Sequence, residues 1–499
     1  MKGDRRIRKL LVANRGEIAL RIIRSASEEG IQTVAVYSDT DRAAPHVLNA
    51  DEAYSLEGDL PKDTYLNSDK LIAVARSTHT DAIHPGYGFL SENADFADAV
   101  SEAGFIFVGP PASAIRAMGS KTGARSLMDS AGVPVVPGMS AMAKDTGTLL
   151  AQARTVGYPL LIKAVYGGGG KGMRKVERED DLLSALRQAE SEALKAFGNG
   201  DVYVEKLLES PRHIEIQILA DNQGNVIYLG ERECSIQRRH QKVIEECPGS
   251  RIGPAMREQM GRAAVEAARS CGYTNAGTIE FMVANDNFYF LEMNTRLQVE
   301  HPVTECVYGL DLVKTQLRIA EGKSLPISQE EIKANGHAIE CRIYAEDPAN
   351  DFLPSLGLIE EYAPSEGRGI RNDSGIMRGS VVSRFYDPLL AKLVAWGTDR
   401  EEARRKMLRA LSEYRISGVS TTIPFCNFAL SHPAFIEGNY DIDFVQKYYS
   451  TNRVSLDREV ELVASFVAAS SYLHELLAVG SGSAAARNSN RWKQTMWDE

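Results

Sequence analysis

Residues 276–302 read AGTIEFMVANDNFYFLEMNTRLQVEHP. Two strand-like runs, TIEFMV and FYFLEMN, flank a turn at Asn285-Asp286-Asn287, so the stretch predicts a β-hairpin. Glu280 lies in one run and Glu292 in the other. Asn294 stands two places beyond Glu292, and in an extended strand their side chains share a face. Arg296, Gln298 and Glu300 continue the every-second-residue pattern, which predicts a single polar face running on to Glu300. Two carboxylates and an amide on one side are hard oxygen ligands suited to Mg²⁺ held between protein and phosphates. The two acids alone also fit a half-exposed hairpin with a polar outer face. The added density of Asn-Thr-Arg and Gln-Val-Glu-His-Pro, beside apolar neighbours, favours a site.

Upstream, residues 165–172 read VYGGGGKG. Gly167, Gly169 and Gly172 satisfy GxGxxG, but a strand (MRKVE) follows instead of a helix, which removes the dinucleotide reading. Lys171 is followed by Gly172, with no Ser or Thr, so the Walker pattern fails as well. A kinase-type loop would carry its lysine after the glycines, whereas Lys163 precedes them. What remains is a glycine-rich hairpin between PLLIKAVY and MRKVE. Its bare backbone N–H groups, flanked by Lys163 and Lys171, suit phosphates. A merely flexible loop is the competing reading. A helix over 180–197 and the strand DVYVEKLL complete a small α/β lobe of about 70 residues.

Further upstream, the strand IRKLLVA, a helix from Gly16 to Glu29 with Ile18, Ile22 and Ile23 on one face, and the strand TVAVYS predict a parallel α/β unit. The run DAIHPGYGFLSEN (81–93) reads as a loop at a strand end, where open α/β sheets place ligands; a plain connecting turn reads equally well. Downstream of the glycine lobe, HIEIQILADNQGNVIYLGERECS predicts a hairpin turning at 222–225. Residues 455–479 have helical spacing, and 480–490 form a Ser/Ala/Gly-rich linker.

The bulk properties bound the function. A chain of 499 residues divides into several lobes. A formal net charge of −10 argues against a nucleic-acid binder working through bulk charge. No apolar run is long enough to span a membrane, and the apolar stretch near the N-terminus is too short for a signal peptide. The six cysteines are scattered without a CxxC pair, so neither a zinc site nor a disulfide framework is indicated. A reduced, cytoplasmic protein is expected.

A lysine before a glycine hairpin, a strand ending in Glu205-Lys206, and paired Glu280 and Glu292-x-Asn294 together resemble the ATP-grasp superfamily. The strings KLLVANRGEIALRIIR, IHPGYGFLSEN, GGGGKGM, RHIEIQ, CSIQRRHQKVIEE, FLEMNTRLQVEHPVTE and AIECRIYAEDP resemble the biotin carboxylases over about residues 7–450. The resemblance implies an α/β fold, α+β in its C-terminal part. A Rossmann-like parallel-sheet domain would span 1–114, an ATP-grasp domain 115–334 with a mobile flap lobe near 134–206, and a mixed domain 335–450. Residues 451–499 would follow as helical tail and linker.

It also implies roles. Lys121, Lys163 and His213, with Gly168, Gly169 and Gly170 of the flap, would hold ATP phosphates or ribose. Glu205, Lys206 and Leu208 would form the adenine hinge, and Gln237 and His240 would complete the nucleotide site. Glu280, Glu292 and Asn294 would bind two Mg²⁺ or Mn²⁺ ions. Lys242, Arg296, Gln298 and Val299 would hold bicarbonate, with Glu300 as the base. Arg342 would stabilise the enolate-like oxygen of biotin, and Tyr87 would line the biotin site. For Arg342, residue type alone suggests a salt bridge to Glu340 or Glu346; the match of ECRIYAEDP favours the catalytic role. A large Tyr166 stands where relatives carry a small residue, which bears on flap closure.

The biotin-accepting Met-Lys-Met turn and a carboxyltransferase half are both missing from this sequence. The resemblance therefore implies a stand-alone component that meets biotin on a carrier protein, works with a carboxyltransferase subunit, and forms a homodimer. Another ATP-grasp carboxylate–amine ligase and a non-catalytic scaffold are the competing readings. Neither accounts for RRHQK and TRLQVEHP together with intact metal acids.

Overall fold

The computed structural model describes residues 5–138, 146–165, 173–449, 466, 469 and 470. Tyr166, Gly168, Gly169 and Gly170 lie outside the described residues. So does the expected tail and linker, apart from Phe466, Ala469 and Ser470, which are helical. Residues 1–448 form one unit and 449–499 another.

The N-terminal part is a parallel sheet of β1 (Lys9–Val12), β2 (Gln32–Tyr37), β3 (Glu52–Ser55), β4 (Ala82–His84) and β5 (Ile106–Phe107), ordered β3-β2-β1-β4-β5. Alternation sends Leu10 and Val12 of β1 to one core, where Ile18, Ile22 and Ile23 of α1 (Gly16–Glu28) join them. Leu11 faces the other core. This is the expected strand–helix–strand unit. The loop after β4 is held from the end of β1. Asn14 Nδ2 donates to the carbonyl oxygens of Pro85 and Tyr87, both at 2.7 Å. Gly86 has φ +64°, and a Cβ there would stand 2.9 Å from Asn14 Nδ2, so only glycine lets the loop pass this close.

The glycine lobe is a small antiparallel sheet of β6 (Leu160–Ala164), β7 (Arg174–Val176) and β8 (Val202–Lys206), ordered β7-β6-β8. The helix Leu182–Phe197 covers it through Leu182, Leu186, Ala189 and Ala193.

The third sheet dominates the rest. It comprises β9 (Arg212–Ala220), β10 (Val226–Arg238), β11 (Gln241–Cys247), β12 (Asn275–Ala284), β13 (Asn287–Asn294) and β14 (His337–Tyr344), with the strands Ile370–Ser374 and Leu389–Gly397 at its far edge. Every pairing in it is antiparallel, and it continues without a break across residues 334–335. One face is apolar. Ile214, Ile216 and Ile218 of β9, with Ile279 and Phe281 of β12, pack under the helix Pro254–Ser270. Burying each such side chain contributes about 1.5–3 kcal/mol. The alternating residues His213, Glu215, Gln217, Thr278 and Glu280 therefore point to the opposite face, and all are buried. Among the described residues, no helix is long and apolar enough to cross a membrane.

Candidate active site

Strand pairing brings the acids together. Glu280 of β12 lies between Glu215 of β9 and Glu292 of β13 in register, and Thr278 lies between Gln217 and Asn294. The expected hairpin is present, with its turn between Ala284 and Asn287. The expected continuation of the strand to Glu300 is not. β13 ends at Asn294, and residues 295–300 form an irregular turn whose last residue, Glu300, precedes the helix His301–Tyr308. Pro302, at the start of that helix, suits the switch from strand to helix. Arg296 nevertheless reaches back to the strand's polar face. Its Nη2 donates to Asn294 Oδ1 at 2.7 Å, its Nη1 to Gln298 Oε1 at 3.0 Å, and its Nε to Glu92 Oε2 at 3.0 Å.

A cavity of about 590 Å³ lies on the polar face of the large sheet, beneath the glycine lobe. Lys121, Lys163, Glu205, Lys206, Leu208, His213, Gln237, His240, Lys242, Glu280, Glu292, Asn294, Arg296, Gln298, Val299 and Arg342 all line it. Sixteen residues named from six separate stretches of sequence thus share one chamber. Its wall is also apolar in part, through Val136, Leu161, Met282, Leu291 and Ile442. A second cavity of about 420 Å³ adjoins it and shares Arg296, Val299, Arg342, Tyr344 and Asp387. Tyr87 lines only this second space. Glu300 is fully buried and lines neither; it stands behind the wall between them.

Lys242 is the hub of the charge network. Its Nζ lies 2.6 Å from Glu215 Oε2, 2.9 Å from Glu280 Oε1 and 2.6 Å from Glu300 Oε1. Burial works against the ammonium, but Glu215, Glu280 and Glu300 outweigh it and hold its pKa well above the lysine range. Burial likewise opposes the Glu300 charge. Lys242, Arg342 and Arg232 overcome it and hold the carboxyl well below its ordinary range. Glu280 is also held low against burial, by Lys242 and by His213, whose Nε2 is 2.8 Å from Glu280 Oε2. Glu292 behaves oppositely. Its carboxylate faces the cleft, and the enclosing walls followed by the Glu280 charge raise its pKa. Lys121, depressed by burial, faces the same end of the chamber.

Arg342 sits on β14, and its side chain is buried. Its Nε donates to Glu245 Oε1 at 2.6 Å, its Nη2 to Glu300 Oε2 at 3.0 Å, and its Nη1 to the Tyr344 hydroxyl at 3.1 Å. The salt bridge to Glu340 or Glu346 is not made, because carboxylates from β11 and from the turn at 300 reach the guanidinium first. Lys163 pairs with Glu205. The Lys206 ammonium donates to the Tyr158 carbonyl oxygen at 3.0 Å.

Sequence reasoning passed over four residues of this network. Arg232, fully buried, pairs with Glu215 and donates to Gln217 Oε1 at 2.8 Å and Thr304 Oγ1 at 2.9 Å. Glu215 itself carried a signal, since His213, Glu215 and Gln217 alternate with isoleucines in RHIEIQ. Glu92, in the loop after β4, accepts from Arg296 and from the Thr295 N–H. Glu245 binds Arg342, and burial raises its carboxyl to about 7.

The donor set fits a divalent cation. Glu280 is ionised, and Glu292, its cross-strand partner, has a carboxyl raised partly by that charge, a repulsion that a bound cation would relieve. Among the described residues, His213, Glu215 and Glu280 also place one ligand atom each within 4.8 Å of one another.

The comparisons with known proteins agree along the chain. The model of the biotin carboxylase N-terminal domain matches residues 6–115. That of the carbamoyl-phosphate synthase L chain ATP-binding domain matches 120–328, and that of the biotin carboxylase C-terminal domain matches 340–447. Biotin carboxylase 1 of Bacillus subtilis (strain 168) is 51% identical over 444 residues, covering 89% of this chain and 99% of that protein. The mitochondrial methylcrotonoyl-CoA carboxylase subunit alpha of Dictyostelium discoideum is 50% identical over 441 residues, of whose length this chain spans 63%. The biotin carboxylase domain dimer of the Hydrogenobacter thermophilus 2-oxoglutarate carboxylase, solved with MgADP, ADP and bicarbonate, superposes with a TM-score of 0.86 at 47% identity, covering 90% of this chain and 99% of that one. With three matching domain models in order and half of all aligned residues identical across nearly the whole of a curated relative, the chain belongs to the biotin carboxylase family.

Proposed function

We propose that this enzyme uses ATP and bicarbonate to carboxylate biotin presented by a carrier protein. This is the first half-reaction of an acetyl-CoA, propionyl-CoA or pyruvate type of carboxylase. The observation that carries the reading is the single ammonium of Lys242 bound to Glu280 and Glu300 together. Glu280 lines the proposed phosphate end of the chamber and Glu300 stands behind the proposed bicarbonate end, so the two substrates would meet at Lys242.

The larger cavity suits a nucleotide. Its apolar side, near Leu208, Met282 and Ile442, takes a purine at the Glu205–Lys206 hinge; Lys121, Lys163 and His213 face the phosphates, and Gln237 and His240 complete the site. Mg²⁺ or Mn²⁺ held by Glu280, Glu292 and Asn294 would neutralise phosphate charge. Arg296, Lys242, Gln298 and the Val299 backbone hold bicarbonate, with the planar guanidinium matched to the planar anion. Glu300 accepts the bicarbonate proton. Its depressed pKa weakens it as a base. Arg296 and Lys242 acidify the bicarbonate in compensation.

The bicarbonate oxygen then bonds to the γ-phosphorus as the bond to the ADP oxygen breaks, giving carboxyphosphate and ADP. Positioning of this kind accounts for much of phosphoryl-transfer catalysis. Carboxyphosphate divides into CO₂ and phosphate. The phosphate takes the N1 proton of biotin in the second cavity, beside Tyr87, and Arg342 stabilises the enolate-like oxygen. N1 then bonds to CO₂.

A carboxyltransferase subunit would choose the final acceptor, and two copies of the chain would form a homodimer. Nearly equal identities to a biotin carboxylase and to a methylcrotonoyl-CoA carboxylase subunit support leaving that choice to the partner. The test is ADP release with and without bicarbonate and free biotin. Turnover that needs bicarbonate and rises with biotin is expected. Turnover that needs an amino acid instead, or no turnover, overturns the proposal.

A further inference from the structure

A second charge chain lies behind the turn that carries Val299 and Glu300. Lys392, on the strand Leu389–Gly397, is completely buried. Its Nζ donates to the Val299 carbonyl oxygen at 2.8 Å. It also lies 3.1 Å from Glu17 Oε2 and 5.8 Å from the centre of the Tyr87 ring. Glu17, in the first turn of α1, is buried as well, and its Oε1 accepts from the Tyr87 hydroxyl. An unbroken path therefore runs Tyr87–Glu17–Lys392–Val299. It joins the N-terminal sheet, the far edge of the large sheet and the turn preceding Glu300.

Two further features show that the path is built in. Lys392 is the cross-strand neighbour of Arg342, so it stands under both cavities. Gly375, just beyond the strand Ile370–Ser374, packs so closely on α1 that a Cβ there would lie 2.5 Å from the Glu17 backbone nitrogen. The edge of the large sheet is thereby locked against the helix turn that carries Glu17. A buried ammonium costs several kcal/mol in desolvation, and no step of the proposed reaction uses it.

We propose that Lys392 and Glu17 are positioning residues: Lys392 sets the peptide between Val299 and Glu300, and Glu17 ties that setting to Tyr87 in the second cavity. The inference rests on the proposed bicarbonate and biotin ends of the site. Binding in the second cavity moves or stiffens Tyr87, and the chain passes this to the turn that orients the bicarbonate group and the base. The consequence is that biotin stimulates ATP cleavage through protein contacts as well as by consuming CO₂.

The experiment measures the full chain, with free biotin as the probe, for three quantities: KM for ATP, KM for bicarbonate, and the ratio of ADP release with and without biotin. Lys392→Met is expected to raise KM for bicarbonate by about tenfold or more, the usual scale for losing a partner that orients a ligand, while KM for ATP stays near wild type. Glu17→Gln keeps the shape but loses the charge. It is expected to lower the biotin stimulation ratio with little change in KM for bicarbonate. Should Lys392→Met fail to fold, Glu17→Gln decides alone. Unchanged bicarbonate and biotin parameters in the folded variants, or equal loss in all three quantities, overturns the proposal. Absence of biotin-stimulated, bicarbonate-dependent turnover in the wild type instead overturns the functional reading beneath it.

Discussion

Replacing Lys242 by methionine keeps the length of the side chain and removes its charge. Three carboxylates lose their shared cation: Glu215, Glu280 and Glu300, at 2.6, 2.9 and 2.6 Å from Nζ. Glu215 retains Arg232, and Glu300 retains Arg342. Glu280 retains only the His213 ring and two amides, from Asn294 and Gln298. Breaking a buried pair by removing one partner costs about 3–5 kcal/mol. At about 2 °C per kcal/mol for a large unit, the melting temperature falls by roughly 6–10 °C at pH 8.

The pH dependence has a definite sign. In the wild type Glu280 and Glu300 are held below their ordinary range, so their stabilisation is complete above about pH 4.5 and is lost as pH falls through their lowered values. In the variant a carboxyl of the cluster, Glu280 first, is raised above its unfolded value. Its penalty is absent in acid and grows as pH rises. The gap in melting temperature between the two proteins is therefore widest at pH 8 and narrows toward pH 5. Melting curves at four pH values measure it, and bicarbonate-dependent ADP release drops by about 100-fold in the same variant. A gap that is constant with pH, or that widens in acid, would refute the assignment of Lys242 as the hub.

Glu300→Gln preserves shape and removes the proposed base. Bicarbonate-dependent turnover falls by about 10²–10⁴-fold, while ATP affinity, measured by titration calorimetry, stays within about threefold because Glu300 does not line the nucleotide chamber. Gly138→Ala perturbs the other end. A Cβ at Gly138 would lie 2.7 Å from Glu205 Cα and 2.8 Å from the Val204 carbonyl oxygen, so the backbone of the proposed nucleotide hinge must move. Overpacking of this kind costs about 1–3 kcal/mol, and KM for ATP rises about tenfold while KM for bicarbonate holds.

The hairpin of Glu280 and Glu292 was legible because a period of two contrasts acids with isoleucine, phenylalanine and methionine in a stretch bounded by a turn. The glycine lobe and the parallel sheet were legible for similar reasons. The end of β13 at Asn294 was not, because Arg296, Gln298 and Glu300 keep the spacing of a strand while the backbone has already turned toward a helix. Their side chains gather on one side through hydrogen bonds to Asn294 and Lys242, a tertiary effect that mimics the local pattern. Arg342 shows the same limit from the other direction. Its nearest acids in sequence, Glu340 and Glu346, are not its partners, since strand pairing supplies Glu245 and Glu300 instead.

Lys392 marks the harder case. LLAKLVAWG reads as an apolar strand with one stray lysine, and the lysine's partners, Glu17 and Val299, belong to other lobes. No local pattern announces such a residue. Its burial is informative all the same, because a fold does not place an unneeded charge in a dry interior. The apolar face of the large sheet supplies the stability that lets the opposite face be built from charges. On that face the buried cations are tied to several partners at once: Lys242 to three carboxylates, Arg342 to two, and Arg232 to Glu215 and the side chains of Gln217, Thr278 and Thr304. Such sharing fixes the carboxylates before any substrate arrives. For the proposed transfer between bicarbonate and phosphate, donors already held in place need no reorganisation as the bonds change, and this is where electrostatic catalysis is strongest.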